Sequence, residues 1–154
     1  MSTNPETPQW SALTARVWTA VVEPEAVTCG LVAGDDHVLL IDTGSAPEQG
    51  HALAMSAACM LGRPVDRVVI THHHYDHSGG LPGIDGAETW MHEAALAHCP
   101  DLRVDHPIAL MAYVDLGGVG AEVIHPGPAH TDGDLVVIVR DEKVTFVGDL
   151  VETA

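Results

Sequence analysis

The segment THHHYDHSGG, residues 71–80, gathers four histidines and an aspartate into the six positions 72–77. On an extended chain, side chains two residues apart point the same way, so His72 and His74 can reach one cation. Asp76 and His77 follow once the chain bends, and they would face a second position close by. Imidazole nitrogen suits zinc and iron, whereas a carboxylate suits a harder or water-bearing metal position. His73 falls out of phase with its neighbours and is expected to point away. Histidine-rich tracts also occur as solvated loops, and with 11 histidines in 154 residues a bare H-x-H is weak by itself.

Two later segments add to the set. HPGPAHTDGD, residues 125–134, places His130 in a Gly/Pro loop, and TFVGDLV, residues 145–151, puts Asp149 at the end of an apolar strand just past a glycine. Each alone reads as a solvent-exposed loop histidine or a turn aspartate; only the combination is informative. Other candidates are set aside. His92-Glu93 opens like H-E-x-x-H, but the fifth position is Leu96. His51, His98 and His106 read as surface or capping residues, and His125 is near His130 without being assigned a role. Ser45 lacks the surroundings of a nucleophile elbow.

These residues need strand ends to hold them. After an N-terminal arm, residues 1–14, expected to be loose, strands are predicted over 16–22, 27–33 and 37–42, the last two joined by the turn Gly34-Asp35-Asp36. The run VLLID reads as a strand buried on both faces. Ser45 is the predicted N-cap of a helix carrying Pro47 and Glu48 in its first turn and ending near Leu61 before Gly62. A buried strand over 66–71 leads directly into the histidine cluster. A loop at 82–86, a strand at 89–91 and a helix over 92–98 follow, and residues 100–120 carry no clear pattern. The last third reads as strands at 121–124, 135–140 and 143–147. This order implies mixed α/β layering, with the polar clusters at strand ends where ligand sites usually form.

Composition limits the partners. A formal charge of −16 argues against nucleic acid and against an anionic membrane surface, although bound divalent cations would reverse the sign of a pocket locally. Hydrophobic residues make up 46% and aromatics 4%, so aliphatic side chains must fill one core. Cys29, Cys59 and Cys99 are odd in number and widely spaced, which reads as reduced, mostly buried thiols. The polar start MSTNPETPQW and the lack of a long apolar run lead to the expectation of a cytoplasmic protein.

The pattern His72-x-His74-x-Asp76-His77, then His130, then Asp149, resembles the metallo-β-lactamase-fold hydrolases. LLIDTG, residues 39–44, is similar to that family's first motif, and Gly79-Gly80 also matches. The resemblance implies an αββα sandwich, here its N-terminal portion with most of the second half missing, and hence an incomplete domain over 15–154. It implies a binuclear zinc site, with one or two ions and iron or manganese as other possibilities. His72, His74 and His130 would hold one metal, Asp76 and His77 would help to hold the other, and Asp149 would bridge both. Asp76 would also act in catalysis, and Asp42 would support a ligand histidine from behind. The implied activity is hydrolysis of a small thioester, ester, lactone or related substrate by a metal-activated hydroxide. Two other readings stay open: an iron-dependent sulfur dioxygenase on the same fold, and a truncated metal-binding or oligomeric domain without catalysis. The family's last histidine ligand has no counterpart before Ala154. The second metal is therefore expected to be one ligand short, and the open sheet to be covered by a second copy or a missing C-terminal segment.

Overall fold

A computed structural model describes residues 6–152. Its larger sheet has seven strands in chain order: β1 (Ser11–Ala12), β2 (Val17–Val22), β3 (Val27–Ala33), β4 (Val38–Ile41), β5 (Arg67–Val69), β6 (Glu88–His92) and β7 (His106–Ile108). β1 to β4 pair antiparallel through tight connections. β4 to β7 pair parallel, and the connections between these strands carry α1 (Pro47–Leu61), α2 (Tyr75–Ser78) and α3 (Glu93–Ala97), as parallel pairing requires. The second sheet is antiparallel, ordered β11 (Val144–Phe146), β10 (Val136–Val139), β9 (Gly120–Ile124), β8 (Met111–Asp115).

Two apolar clusters account for the layers. Leu39, Ile41, Val69 and Trp90 from the larger sheet meet Val123, Val137, Val139 and Phe146 from the smaller one. On the larger sheet's other face, Leu31, Leu40, Val68 and Ile70 meet Leu53 and Ala57 of α1. All four residues of β4 are buried, so the VLLI run alternates between two cores rather than between core and water. The arrangement is helix on sheet on sheet. On the smaller sheet's outer face, Met111 and Tyr113 are exposed, Ile124, Val136 and Ile138 are half-buried, and no helix covers them among the described residues.

Several local expectations change. Ala46, not Ser45, is the N-cap of α1 and makes no side-chain cap bond. Ser45 instead donates its hydroxyl to Glu25 Oε2 (3.0 Å), and Gln49 Oε1 accepts from the Ser45 backbone N–H (2.7 Å). The arm read as loose is pinned at its inner end: Ser11 and Ala12 pair with Thr19 and Trp18, and Trp10 Nε1 donates to Ser56 Oγ (2.9 Å). Residues 1–5 of that arm lie outside the described residues. The unpatterned stretch 100–120 holds β7 and β8, which belong to different sheets. Both are edge strands: β7 carries Pro107, tolerated only at an edge, and β8 exposes Met111 and Tyr113, which hides the usual alternation. Of the cysteines, Cys29 is buried, Cys99 half-buried and Cys59 exposed, so burial is less general than composition suggested. All three are free thiols.

α1 crosses the histidine segment at two glycines in mutual contact. A Cβ on Gly80 would collide with the Thr43 carbonyl oxygen and crowd Gly50 Cα. Gly80→Ala is therefore expected to destabilise the chain by about 1–3 kcal/mol through forced backbone displacement. Thermal unfolding should then show a midpoint lower by roughly 3–10 °C.

Candidate metal centre

β4 and β5 run parallel with Ile41 opposite Val69, so the segments leaving their C-terminal ends emerge side by side. Asp42 begins the first of these. Its backbone is left-handed (φ 62°), a conformation that Asp tolerates better than most residues, and the carboxylate is buried. It accepts hydrogen bonds from the Thr71 N–H (2.8 Å), the Thr71 hydroxyl (2.7 Å) and His77 Nδ1 (2.7 Å). The His77 carbonyl in turn accepts from the Thr43 N–H (2.9 Å) and hydroxyl (2.8 Å). One strand end thus orients the other.

These bonds decide which nitrogen of each histidine faces the centre. Thr71 commits its hydroxyl proton to Asp42, so its oxygen accepts from His72 Nδ1 at 3.0 Å. His77 likewise directs Nδ1–H at Asp42. Both rings then present Nε2 to the centre, and both Nε2 atoms are buried without a hydrogen-bond partner among the described residues. Buried polar atoms are rarely left so, and ring nitrogens freed in this way suit cation ligands.

The remaining residues arrive from the smaller sheet. His130 lies in the loop between β9 and β10, which is held by Thr131 bonding through N–H (2.9 Å) and hydroxyl (2.7 Å) to the buried Asp134 carboxylate. The Leu135 N–H ties the end of that loop to the Thr71 carbonyl (2.8 Å). His130 Nε2 comes within 3.1 Å of His74 Nδ1. Asp149 follows β11 in a short 3-10 turn. Its Oδ2 is 3.6 Å from His72 Nε2 and 3.5 Å from His130 Nε2, while its Oδ1 is 3.2 Å from His77 Nε2. Asp76 Oδ2 is 3.7 Å from His77 Nε2. The polar atoms therefore fall into two groups of metal-binding size, His72–His74–His130–Asp149 and Asp76–His77–Asp149, with the Asp149 carboxylate in both.

The structure brings together all six residues singled out as ligands, and His73 turns elsewhere to stack on His98. His92 caps α3 by accepting from the Ala94 N–H (3.1 Å), and His125 donates Nδ1–H to the Asp134 carbonyl (2.7 Å). Sequence reasoning missed Thr71, whose hydroxyl meets the His72 ring, and Thr43, whose hydroxyl holds the His77 backbone carbonyl. A threonine beside a histidine carries no signal until the turn at Asp42 is known.

Electrostatics separate the two buried imidazoles. Burial, and then the neighbouring His77, push His72 down to about 4. Burial would also lower His77, but the Asp42 hydrogen bond and the charges of Asp42, Asp149 and Asp76 lift it to about 9. In chelator-treated protein, His77 is then the cation among three carboxylates. From the ordinary value of 6.5, the stabilisation from His77 is present at and below that pH and lost as pH rises through about 9. His72 remains neutral in the fold while the unfolded chain takes up a proton, so its share is lost as pH falls from 6.5 through about 4. Chelator-treated protein should therefore be most stable near pH 6.5, losing on the order of 1–3 kcal/mol on either side, measurable by urea unfolding across pH.

A cleft of about 640 Å³ opens beside these groups, lined by Glu25, Ile41, Asp76, His77, Phe146 and Asp149 among others, and by no Lys or Arg among the described residues. The family model of the metallo-beta-lactamase superfamily matches residues 22–154. The chain belongs to the metallo-β-lactamase superfamily. Among relatives of this superfamily, it is 30% identical over 122 residues to a hydroxyacylglutathione hydrolase of Aliivibrio salmonicida, covering 78% of this chain and 44% of that one. It is 27% identical over 119 residues to an atrochrysone carboxyl ACP thioesterase of Aspergillus fumigatus, covering 77% of this chain and 28% of that one. Its fold matches a metallo-beta-lactamase from Pontibacter korlensis with TM-score 0.82 at 24% identity, over 91% of this chain and 70% of that one. It also matches the FIM-1 metallo-beta-lactamase of Pseudomonas aeruginosa, solved in a mono-zinc form, with TM-score 0.73 at 20% identity, over 90% of this chain and 67% of that one. The chain thus spans less than half the length of these curated relatives. No helix among its described residues is long and apolar enough to cross a membrane.

Proposed function

We propose that this chain carries the metal centre of a zinc-dependent hydrolase acting on a small thioester, ester or lactone in the cytoplasm. The observation that carries the reading is Asp149, whose carboxylate turns one oxygen to His72 and His130 and the other to His77. His72, His74 and His130 would hold one ion, Asp76 and His77 would hold a second, and Asp149 would join them. Ions bound there supply Lewis acidity, meaning an acidified water for attack and positive charge for the developing oxyanion.

The chain's own residues supply the rest. Asp42 and Thr71 hold the His77 and His72 rings in the tautomers that leave Nε2 free. Asp76, half-buried at the cleft wall, is placed to orient a nucleophile or accept its proton. Apolar lining from Leu13, Val27 and Phe146 suits an acyl group. Relatives named as a thioesterase and a hydroxyacylglutathione hydrolase support thioester hydrolysis.

The test is an assay of zinc-loaded protein on a panel of short acyl thioesters, aryl esters and lactones. Asp76→Ala is expected to lower kcat by about 100-fold or more. Equal residual rates for variant and wild type would favour a metal-binding domain without catalysis. Stoichiometric iron with oxygen consumption would favour a sulfur dioxygenase, a reading helped by the first group holding four residues and the second only three.

A further inference from the structure

His73 belongs to a different constellation from its neighbours. Its ring stacks on that of His98, with 4.0 Å between centroids and 19° between planes. His98 is the C-cap residue of α3, and its Nε2 lies 3.1 Å and 3.0 Å from Asp132 Oδ1 and Oδ2. Asp132 is brought there because Gly133 lies directly against the Ala95 backbone of α3, where a side chain would not fit. One ligand atom from each of His73, His98 and Asp132 lies within 4.8 Å of the others. His73 Nδ1 is buried and has no hydrogen-bond partner among the described residues.

We propose that His73, His98 and Asp132 form a second metal site, separate from the Asp149 centre, that takes a borderline divalent cation such as zinc or copper. Two imidazoles and one carboxylate suit those ions, and magnesium or calcium would find too few oxygens. Tetrahedral zinc–nitrogen bonds set ligand atoms about 3.3 Å apart, so the stacked pair must splay and draw Asp132 inward. His98 and Asp132 have the freedom to do so, their side chains being 46% and 54% exposed. The remaining coordination positions face water, which makes this the weaker and more exchangeable site. An ion held there ties α3 and the His130 loop to the residue between His72 and His74, bracing the main centre from outside.

The experiment is a titration of metal-stripped protein with zinc in competition with a chromophoric chelator, repeated with copper and followed by electron paramagnetic resonance. His98→Ala is expected to bind one zinc equivalent fewer than wild type while keeping the tighter equivalents. Asp132→Asn should weaken the same equivalent at least tenfold, and the copper bound last should add a signal of two nitrogen ligands that His98→Ala lacks. A His72→Ala/His130→Ala variant, checked for folding by circular dichroism, should retain the weaker equivalent. Identical stoichiometry and affinity in His98→Ala and wild type would overturn the proposal and leave the cluster as a hydrogen-bonded helix cap. Loss of all metal in the folded double variant would overturn it equally, since the site would then not be independent.

Discussion

Replacing Asp149 with alanine is expected to lower kcat/KM by about 100- to 1000-fold or more and to cut the bound metal below the wild-type value. Asp149 is the one side chain common to both groups of potential ligands. Without it, His72, His74 and His130 remain as a three-nitrogen set, but Asp76 and His77 remain as a pair, too few to retain an ion. The loss is electrostatic as well as geometric. Asp149 is one of the carboxylates that raise His77 and is also a charge acting on His72, so its removal takes a negative charge from both buried rings. Asp149→Asn separates these effects, keeping shape and one acceptor oxygen while losing the charge and the second oxygen. It should sit between wild type and alanine in metal content, yet near alanine in rate. Metal analysis of dialysed protein beside steady-state kinetics gives both readouts.

Asp42→Ala is expected to damage folding and metal affinity together. Three hydrogen bonds converge on this buried carboxylate, and its loss leaves the Thr71 N–H and hydroxyl and the His77 Nδ1–H without their acceptor. Breaking a buried pair of this kind costs about 3–5 kcal/mol, and the left-handed backbone adds strain for alanine. The unfolding midpoint should fall by roughly 10 °C. Removing a carboxylate that orients a metal-binding histidine typically weakens metal binding by about 10- to 100-fold. Asp42→Asn is the informative companion. Asn accepts the left-handed turn and keeps an oxygen for Thr71, so its stability loss should be smaller. Its amide N–H, however, meets His77 Nδ1 as a donor and pushes the ring proton to Nε2, toward the centre. Metal affinity should therefore fall in Asn nearly as far as in Ala.

The chemistry of the site was more legible in sequence than the frame that holds it. Histidine and aspartate at 72, 74, 76 and 77 carry their own spacing, and the strand-loop alternation that delivers His130 and Asp149 follows from apolar runs broken by glycine. The buried strands β3 and β4 and helix α1 were readable because their apolar patterns are strong. β7 and β8 were not, because edge strands satisfy one side with water and need no clean alternation. The N-cap of α1 was placed one residue early because Ser45 finds a tertiary partner in Glu25, which local propensity does not register. The His73–His98–Asp132 cluster was hidden for a related reason: its members lie 25 and 34 residues apart in steps along the chain and meet only through the contact of Gly133 with α3.

The central claim, that Asp149 joins two metal positions, is tested most directly by crystals of the zinc-loaded protein measured at the zinc absorption edge. The expected anomalous map has one peak among His72, His74 and His130 and another beside Asp76 and His77, about 3.5–4 Å apart, with Asp149 touching both. Peaks elsewhere only, or an Asp149 carboxylate turned away from every bound ion, would contradict it.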